Sequence, residues 1–326
     1  MLKRIALAAL CLLGPGSSAN AATFTTFDPP GSTLTFAVSI NDTGSIAGAY
    51  RDGKNAQHGF VRAADGTITT FDPPGSNETG AASISGTGAI TGDYYGGSTF
   101  HGYVRAADGT ITTFDPPGSI DTFAASINVR GMIAGTYEDG GGNFHGFVRA
   151  AGGKITTFDP PGSTGTTTYS INGTGAVTGP YLGGGAFHGY VRAVDGTFTT
   201  FDPPGAIYTN PASINGAGAI AGEYEDGNYQ IHGFVRAPDG TITTIDCPGA
   251  YYTVGTSIDD RGRITGYCRR SRHPVRGFVR NAIGTLKTTF HAPEAGDVYA
   301  ESINDKGSVA GYHSVAHVEH GFVRIP

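Results

Sequence analysis

Apolar residues alternate with small or polar ones in short runs along most of the chain, as in Ile68-Thr69-Thr70-Phe71 and Ile90-Thr91-Gly92-Asp93-Tyr94. A period of two over so few residues predicts β-strands, and the Asp-Gly, Thr-Gly and Pro-Pro-Gly clusters between runs predict turns. Over 81–115 the pattern resolves into four strands, 81–85, 89–94, 102–106 and 110–115. Gly88 and Ala107-Asp108-Gly109 fall in the hairpin turns, where residues that tolerate positive φ are favoured. Pro116-Pro117-Gly118 cannot continue a hydrogen-bonded ladder, so it ends the fourth strand and crosses to the next unit. Thr and Ala fill much of the rest, as expected where a second sheet packs closely on each face.

The whole pattern returns every 43 or 44 residues. H-G-[FY]-V-R begins at His58, His101, His145, His188, His232 and His320, and Arg276 takes the His place in a seventh copy. F-D-P-P-G carries Asp28, Asp72, Asp115, Asp159 and Asp202, then decays to Asp246-Cys247-Pro248 and to His291-Ala292-Pro293. S-I-N-like triplets begin at Ser39, Ser83, Ser126, Ser170, Ser213, Ser257 and Ser302. G-x-Y begins at Gly48, Gly92, Gly135, Gly179 and Gly222, and slips to Gly-Tyr at Gly266 and Gly311. Seven copies of a four-strand unit predict an all-β fold, a seven-bladed β-propeller of four-stranded antiparallel blades, filling residues 22–326 as a single domain. The S-I-N strand is expected innermost and the F-D-P-P strand outermost. The chain opens with a lone outer strand at 23–28 and ends on a unit that lacks one, so pairing 23–28 with 321–324 would close the ring and hide two sheet edges.

Composition narrows the alternatives. With 53 Gly among 326 residues a helix-rich fold is excluded, and no Gly-X-Y triplet persists as in collagen. After residue 22 no apolar run is long enough to span a membrane. Met1-Leu2-Lys3-Arg4, the apolar run 5–13 and the small-residue site Ala19-Asn20-Ala21 read as a signal peptide over 1–21, which places the mature protein in the periplasm or outside the cell. Without Lys3 and Arg4 the chain keeps 19 basic residues against 27 acidic ones, a formal charge of −8, which argues against nucleic acid as a partner.

The combined pattern H-G-F-V-R, G-T-I-T-T-F-D-P-P-G, S-I-N and G-x-I-x-G-x-Y resembles the bacterial extracellular repeat family named HAF, with Gly59 and its equivalents where the family name has Ala. Its layout is also similar to YVTN-type and WD-repeat seven-bladed propellers, over essentially all of residues 23–326. The resemblance implies an exported propeller and no particular chemistry.

Most repeated polar residues read as structural. His58 with Asp72, and His101 with Asp115, lie at adjoining ends of a hairpin, which predicts a His–Asp hydrogen bond in every unit. The one unit that loses the His, at Arg276, also loses the Asp, at His291. Catalysis needs one activated nucleophile in one pocket, so equivalent copies around a ring do not point to a hydrolase triad. The Arg that ends each H-G-F-V-R, from Arg62 to Arg324, is expected to cap a turn or bond across units.

The breaks in the repeat carry the candidate chemistry. Cys247 and Cys268 enter the sixth unit near one rim, 21 residues apart, and export permits a disulfide between them, worth about 3 kcal/mol on a chain-entropy argument. With only His273 near them, a metal site is disfavoured, and no cofactor is indicated. Seven of the 16 Arg fall within residues 261–280. Arg269, Arg270, Arg272, His273 and Arg276 gather at one rim as a candidate anion patch, whose forked donors suit carboxylate, phosphate or sulfate. Asn41, Ser85, Asn128, Asn172, Asn215, Asp259 and Asn304 are expected to line the central channel. Two functions follow. One is a monomeric, non-catalytic binding propeller that contacts an acidic polysaccharide, another anionic envelope component or an exported protein. The other is a lyase-like or lactonase-like propeller enzyme working at the channel, for which the single carboxylate Asp259 is a poor acid–base pair.

Overall fold

The structure is a computed structural model that describes residues 22–282, 284, 286–292 and 296–326. Residues 1–21, read from the sequence as a signal peptide, lie outside the described residues. Within them all regular structure is β, in 29 strands.

Strand pairing divides the chain into four-stranded units that follow the repeat. The first contains Ser32–Ile40, Ile46–Asp52, Gln57–Arg62 and Ile68–Phe71, paired antiparallel in that order. The second and third are built alike, from Glu78–Ile84 to Ile111–Phe114 and from Ser119–Ile127 to Ile155–Phe158. The fourth, fifth and sixth join into one 13-stranded sheet through two single parallel bridges, Phe187 with Tyr208 and Ile231 with Tyr252. Those bridges depart from the purely antiparallel expectation. So does the fourth unit's inner strand, which is split into Gly165–Thr166 and Ser170–Ile171.

The seventh unit takes its fourth strand from the other end of the chain. Thr23–Phe27 pairs antiparallel with Val318–Ile325, with Phe27 opposite Gly321. His320 Nδ1 meets Asp28 Oδ2 at 2.7 Å, and Thr26 Oγ1 meets His313 Nε2 at 3.0 Å.

Close packing near the axis rests on a bulge. In six of the inner strands the register shifts just before the S-I-N serine, as between Ala37 and Ser39, and the split in the fourth unit falls at the same place. Just before the bulge a carbonyl turns onto the G-x-Y glycine of the next strand. A Cβ at Gly48 would collide with the Phe36 carbonyl, and one at Gly311 with that of Tyr299. The serine hydroxyl then accepts the amide of the following unit's isoleucine. Ile84 N reaches Ser39 Oγ at 3.1 Å and Ile303 N reaches Ser257 Oγ at 3.3 Å. Ile40 N reaches Ser302 Oγ at 3.2 Å, which joins the two chain ends.

Apolar cores lie between units, not within them. Phe290 of the sixth unit packs with Val298, Ala300, Val309 and Phe322 of the seventh. Each outer-strand Phe also meets the aromatic of the next unit's third strand edge to face, as in Phe71 with Tyr103 and Phe201 with Phe234, both 6.0 Å between centroids. The same Phe lies over the glycine of H-G-F-V-R, whose missing Cβ makes room for it: at Gly59 a Cβ would stand 2.7 Å from the Phe71 ring.

Removing residues 22–30 is therefore expected to expose the Val318–Ile325 edge and empty the Phe27 site in the first inter-unit core. Urea unfolding should show a loss of about 3 kcal/mol or more. A truncated protein as stable as the full chain would show that the terminal strand does not close the structure.

Candidate functional site

The repeated His–Asp pairs come first, because they test the triad reading. His58–Asp72, His145–Asp159 and His188–Asp202 meet through Nδ1 and Oδ2 at 2.7 Å, and His101–Asp115 and His232–Asp246 at 2.8 Å. The other oxygen of the aspartate accepts a hydroxyl from the next unit's inner strand, as in Thr79 to Asp72 and Thr166 to Asp159, both 2.6 Å. The carboxylate thus sits between imidazole and hydroxyl, an order in which the His cannot take the hydroxyl's proton. Among the described His–Asp pairs, a hydroxyl faces Nε2 at His101 alone, where Thr99 Oγ1 lies at 3.1 Å. It occupies the slot that Asp139 fills at His145, at 3.3 Å. The pair is a clamp between units.

The arginine that ends H-G-F-V-R caps its own turn as expected, and it meets the neighbouring unit by stacking on a ring, not by a hydrogen bond. Arg62 Nη1 donates to the Ala63 carbonyl at 3.2 Å, and its guanidinium lies 4.9 Å from the ring of Phe27 on the preceding outer strand. Five other units repeat the stacking. In the remaining one, Ile245 stands where Arg280 would need a ring.

The residues expected in the channel do border a cavity at its mouth, about 260 Å³, together with Asp42, Asp260 and Asp305. Their polar groups are already used. Asn128 Nδ2 donates to the Asn172 carbonyl at 2.9 Å, and Asn304 Nδ2 to that of Asn41 at 2.8 Å. The same side chains accept the amides of their own turns, as Asn41 Oδ1 does from Thr43 and Ser45. Asp259 has no amide to donate, and Arg263 supplies the missing donor. Arg263 Nε bonds Asp259 Oδ2 at 2.6 Å while Nη2 reaches the Asn304 carbonyl at 3.2 Å. Asp259 is thus a neutralised strut, not an acid poised for chemistry. The neighbouring carboxylates are also struts: Asp260 N donates to Asp305 and Asp305 N to Asp42, both 2.8 Å. Burial, with Asp42, Asp260 and Asp259 close by, pushes the Asp305 carboxyl up.

The acidic loops of the third and fifth units are occupied in the same way. Asp139 Oδ1 accepts the amides of Gly141 and Asn143, and these bonds hold its carboxyl below the usual range.

In the sixth unit the clamp is replaced. Cys247 and Cys268 are bonded, and with Arg270, His273, Pro274, Arg276 and Thr289 they line a cavity of about 60 Å³. Arg269, Arg270, Arg272, His273 and Arg276 are exposed. Among the described residues none of them faces a carboxylate within ion-pair distance. Arg270, His273 and Arg276 share the cavity. Arg269, whose Nε bonds the His273 carbonyl at 3.2 Å, leans toward Tyr252 and Tyr299.

Three carboxylates that the motifs do not reveal sit toward the axis. Asp93 and Glu223 occupy the x of G-x-Y, and Glu301 is the bulge residue of the seventh inner strand. Burial pushes Asp93 and Glu301 up to about 7 and raises Glu223 as well. The available signal was variation: x reads Ala49, Asp93, Thr136, Pro180, Glu223, Tyr267 and Tyr312 within an otherwise constant frame.

No protein-family model matches the chain, and no curated protein matches it. Solved structures do. Virginiamycin B lyase from Staphylococcus aureus superposes over 94% of this chain and all of its own, with a TM-score of 0.61 at 14% identity. TolB from Acinetobacter baumannii aligns over 79% of this chain and 66% of its own, with a TM-score of 0.56 at 13% identity. The fold is a β-propeller. Puromycin hydrolase gives a TM-score of 0.61 at 12% identity over 91% of this chain, which spans about half of that protein's length. Propellers of this kind thus include enzymes, and at these identities the likeness carries the fold alone.

Two measurements probe the clamps. Arg263→Ala leaves the buried Asp259 charge unpaired and is expected to cost about 3 kcal/mol, whereas adding Asp259→Asn should recover most of that loss. No recovery in the double variant would separate the two residues. The His145 imidazole is lowered by burial but raised on balance by Asp159 and Asp139. A raised folded value gives stability that is full below the unfolded value of about 6.5 and fades as pH climbs through the folded one. Urea unfolding of His145→Asn against the parent should therefore show a larger deficit at pH 5.5 than at pH 8.5.

Proposed function

We propose that this protein is an exported, non-catalytic binding propeller whose sixth-blade rim takes an anionic partner, an acidic polysaccharide or another polyanionic envelope component. The observation that carries the reading is the exchange of the His–Asp clamp for Arg276 and His291, beside Arg270 and His273 on a disulfide-lined cavity. Elsewhere in the ring the equivalent histidine is bonded to its aspartate. Here exposed guanidinium groups have no carboxylate partner among the described residues, so they offer forked donors at little desolvation cost. The Cys247–Cys268 disulfide favours an oxidising compartment, periplasmic or extracellular, in keeping with the signal-like start of the chain and with the HAF-type reading of its repeats. Against the net negative charge of the whole chain, a local positive rim also orients an anion toward this blade.

Retention on an acidic polysaccharide column across a salt series tests the proposal. Binding should fall steeply with salt and disappear when Arg269, Arg270 and Arg272 are changed to Ser in a protein that keeps its melting temperature. Equal retention by both proteins, or none by either, would overturn it.

A further inference from the structure

At six junctions between successive units, the Phe that ends an outer strand lies 4.9 to 5.0 Å from the guanidinium of the following unit's H-G-F-V-R arginine. The same ring meets that unit's third-strand aromatic at a steep angle, 6.0 to 6.2 Å between centroids. Two contacts from fixed elements thus define one aromatic position. The chain fills it with Phe27, Phe71, Phe114, Phe158, Phe201 and Phe290. Between the fifth and sixth blades Ile245 stands there instead, so neither contact can form.

The partners of the missing ring are still in place. Phe278 and Arg280 hold the third-strand aromatic and arginine positions of the sixth blade, and with Ile245 they line a cavity of about 390 Å³. Ile245, Thr253 and Phe278 are buried in its floor, whereas Thr244 and Asp246 are exposed at its mouth. Ile245 does not take over the work of a ring. The outer strand ends at Thr244, one residue earlier than in the first four units. A Cβ at Gly233 would stand 2.7 Å from the Ile245 carbonyl, where one at Gly189 would stand 2.7 Å from the Phe201 ring. Backbone therefore covers the glycine, and the space that a ring would fill is left beside Phe278 and Arg280. Cys247 lines the same cavity, and its bond to Cys268 ties that wall to the second strand of the sixth blade. A dry apolar cavity of about 150 Å³ already takes benzene, so there is room here for a substituted ring.

We propose that this cavity binds a small single-ring aromatic molecule, its ring in the position that phenylalanine holds at the other six junctions. Phe278 offers the ring-to-ring contact and Arg280 the cation over the face, the same pair of contacts that each Phe makes elsewhere. A hydroxyl or similar substituent stays at the mouth near Thr244 and Asp246, where it keeps its water. A saturated ring of the same size fills the volume but presents no negative face to the guanidinium. The rim arginines Arg269, Arg270, Arg272 and Arg276 do not line this cavity, so the inference stands apart from the anion reading.

Ligand-observed NMR titration with p-cresol, and with 4-methylcyclohexanol as its saturated analogue, tests the site on the native protein. p-Cresol should bind, and the analogue should bind about fivefold more weakly or worse. Arg280→Met keeps an apolar stem without the cation and should bring the two ligands to about equal affinity, a change that altered cavity shape would not produce. Ile245→Phe restores the repeat. Its ring should fill the cavity, abolish p-cresol binding and raise the melting temperature by about 2 °C or more. No p-cresol binding to the native protein, equal binding of the two ligands there, or a preference that survives in Arg280→Met would each overturn the proposal. So would p-cresol binding retained in Ile245→Phe, or an Ile245→Phe protein that melts below the native one.

Discussion

The bulged inner strand is the constraint on which the rest of the ring depends. Sheets radiating from an axis crowd where they converge, and the backbone must pass from one to the next without orphaned polar groups. The bulge settles both needs at one place. It turns a carbonyl onto a glycine that has no Cβ to obstruct it, and it presents the serine hydroxyl to the isoleucine amide of the next blade. The serines recur around all seven units, and the Ser302–Ile40 bond crosses between the chain ends. Further out, the His–Asp–Thr clamp and the Arg–Phe stack repeat the same logic at larger radius. A polar group in this frame is therefore fixed by its neighbour blade before any ligand is considered.

That frame also explains which substitutions the repeat tolerates. In two places a changed residue is matched by a second change, and the new pair performs a mechanical task. Asp259 with Arg263 replaces one asparagine and still reaches the Asn304 carbonyl. Cys247 and Cys268 link the entry of the sixth blade to its second strand where other blades rely on Pro and Tyr. Departures that acquire no partner are of another kind. Among the described residues the exposed guanidinium groups around Arg276 face no carboxylate within ion-pair distance.

Much of the fold was legible in the sequence because a period of 44 repeats every local constraint several times over. The innermost and outermost strands, the terminal pairing and the His–Asp contacts all follow from reading one unit and copying it. What could not be copied was harder to see. The inner strand of the second blade starts at Glu78, not 81, because the linker ends in a turn and pairing begins directly after it. The parallel bridges depend on how closely Phe187 and Ile231 approach the next blade, which no single unit encodes. The S-I-N asparagines border one cavity, but their amides turn along the ring into neighbouring carbonyls. Glu223 and Glu301 escaped notice because x and bulge positions carry no constant residue, and their surroundings come from other blades.

The placement of unmet charge follows from the same geometry. An x or bulge side chain near the axis meets residues of an adjacent blade at short range, so changes in successive copies combine into one surface, as Tyr267, Tyr299 and Tyr312 do. A change at the outer clamp position instead acts in a wider space, as at Arg276, and remains open to solvent. Near the axis a charge is partly shielded from water by the adjacent blades, as the burial that pushes Glu301 up to about 7 shows. At the rim it keeps its water and favours a polyvalent partner, for which many weak contacts add up. The sixth and seventh blades, where the motifs decay most, contain both situations. A repeat whose linker and G-x-Y motifs hold through five blades and decay in the next two thus concentrates its departures in one sector.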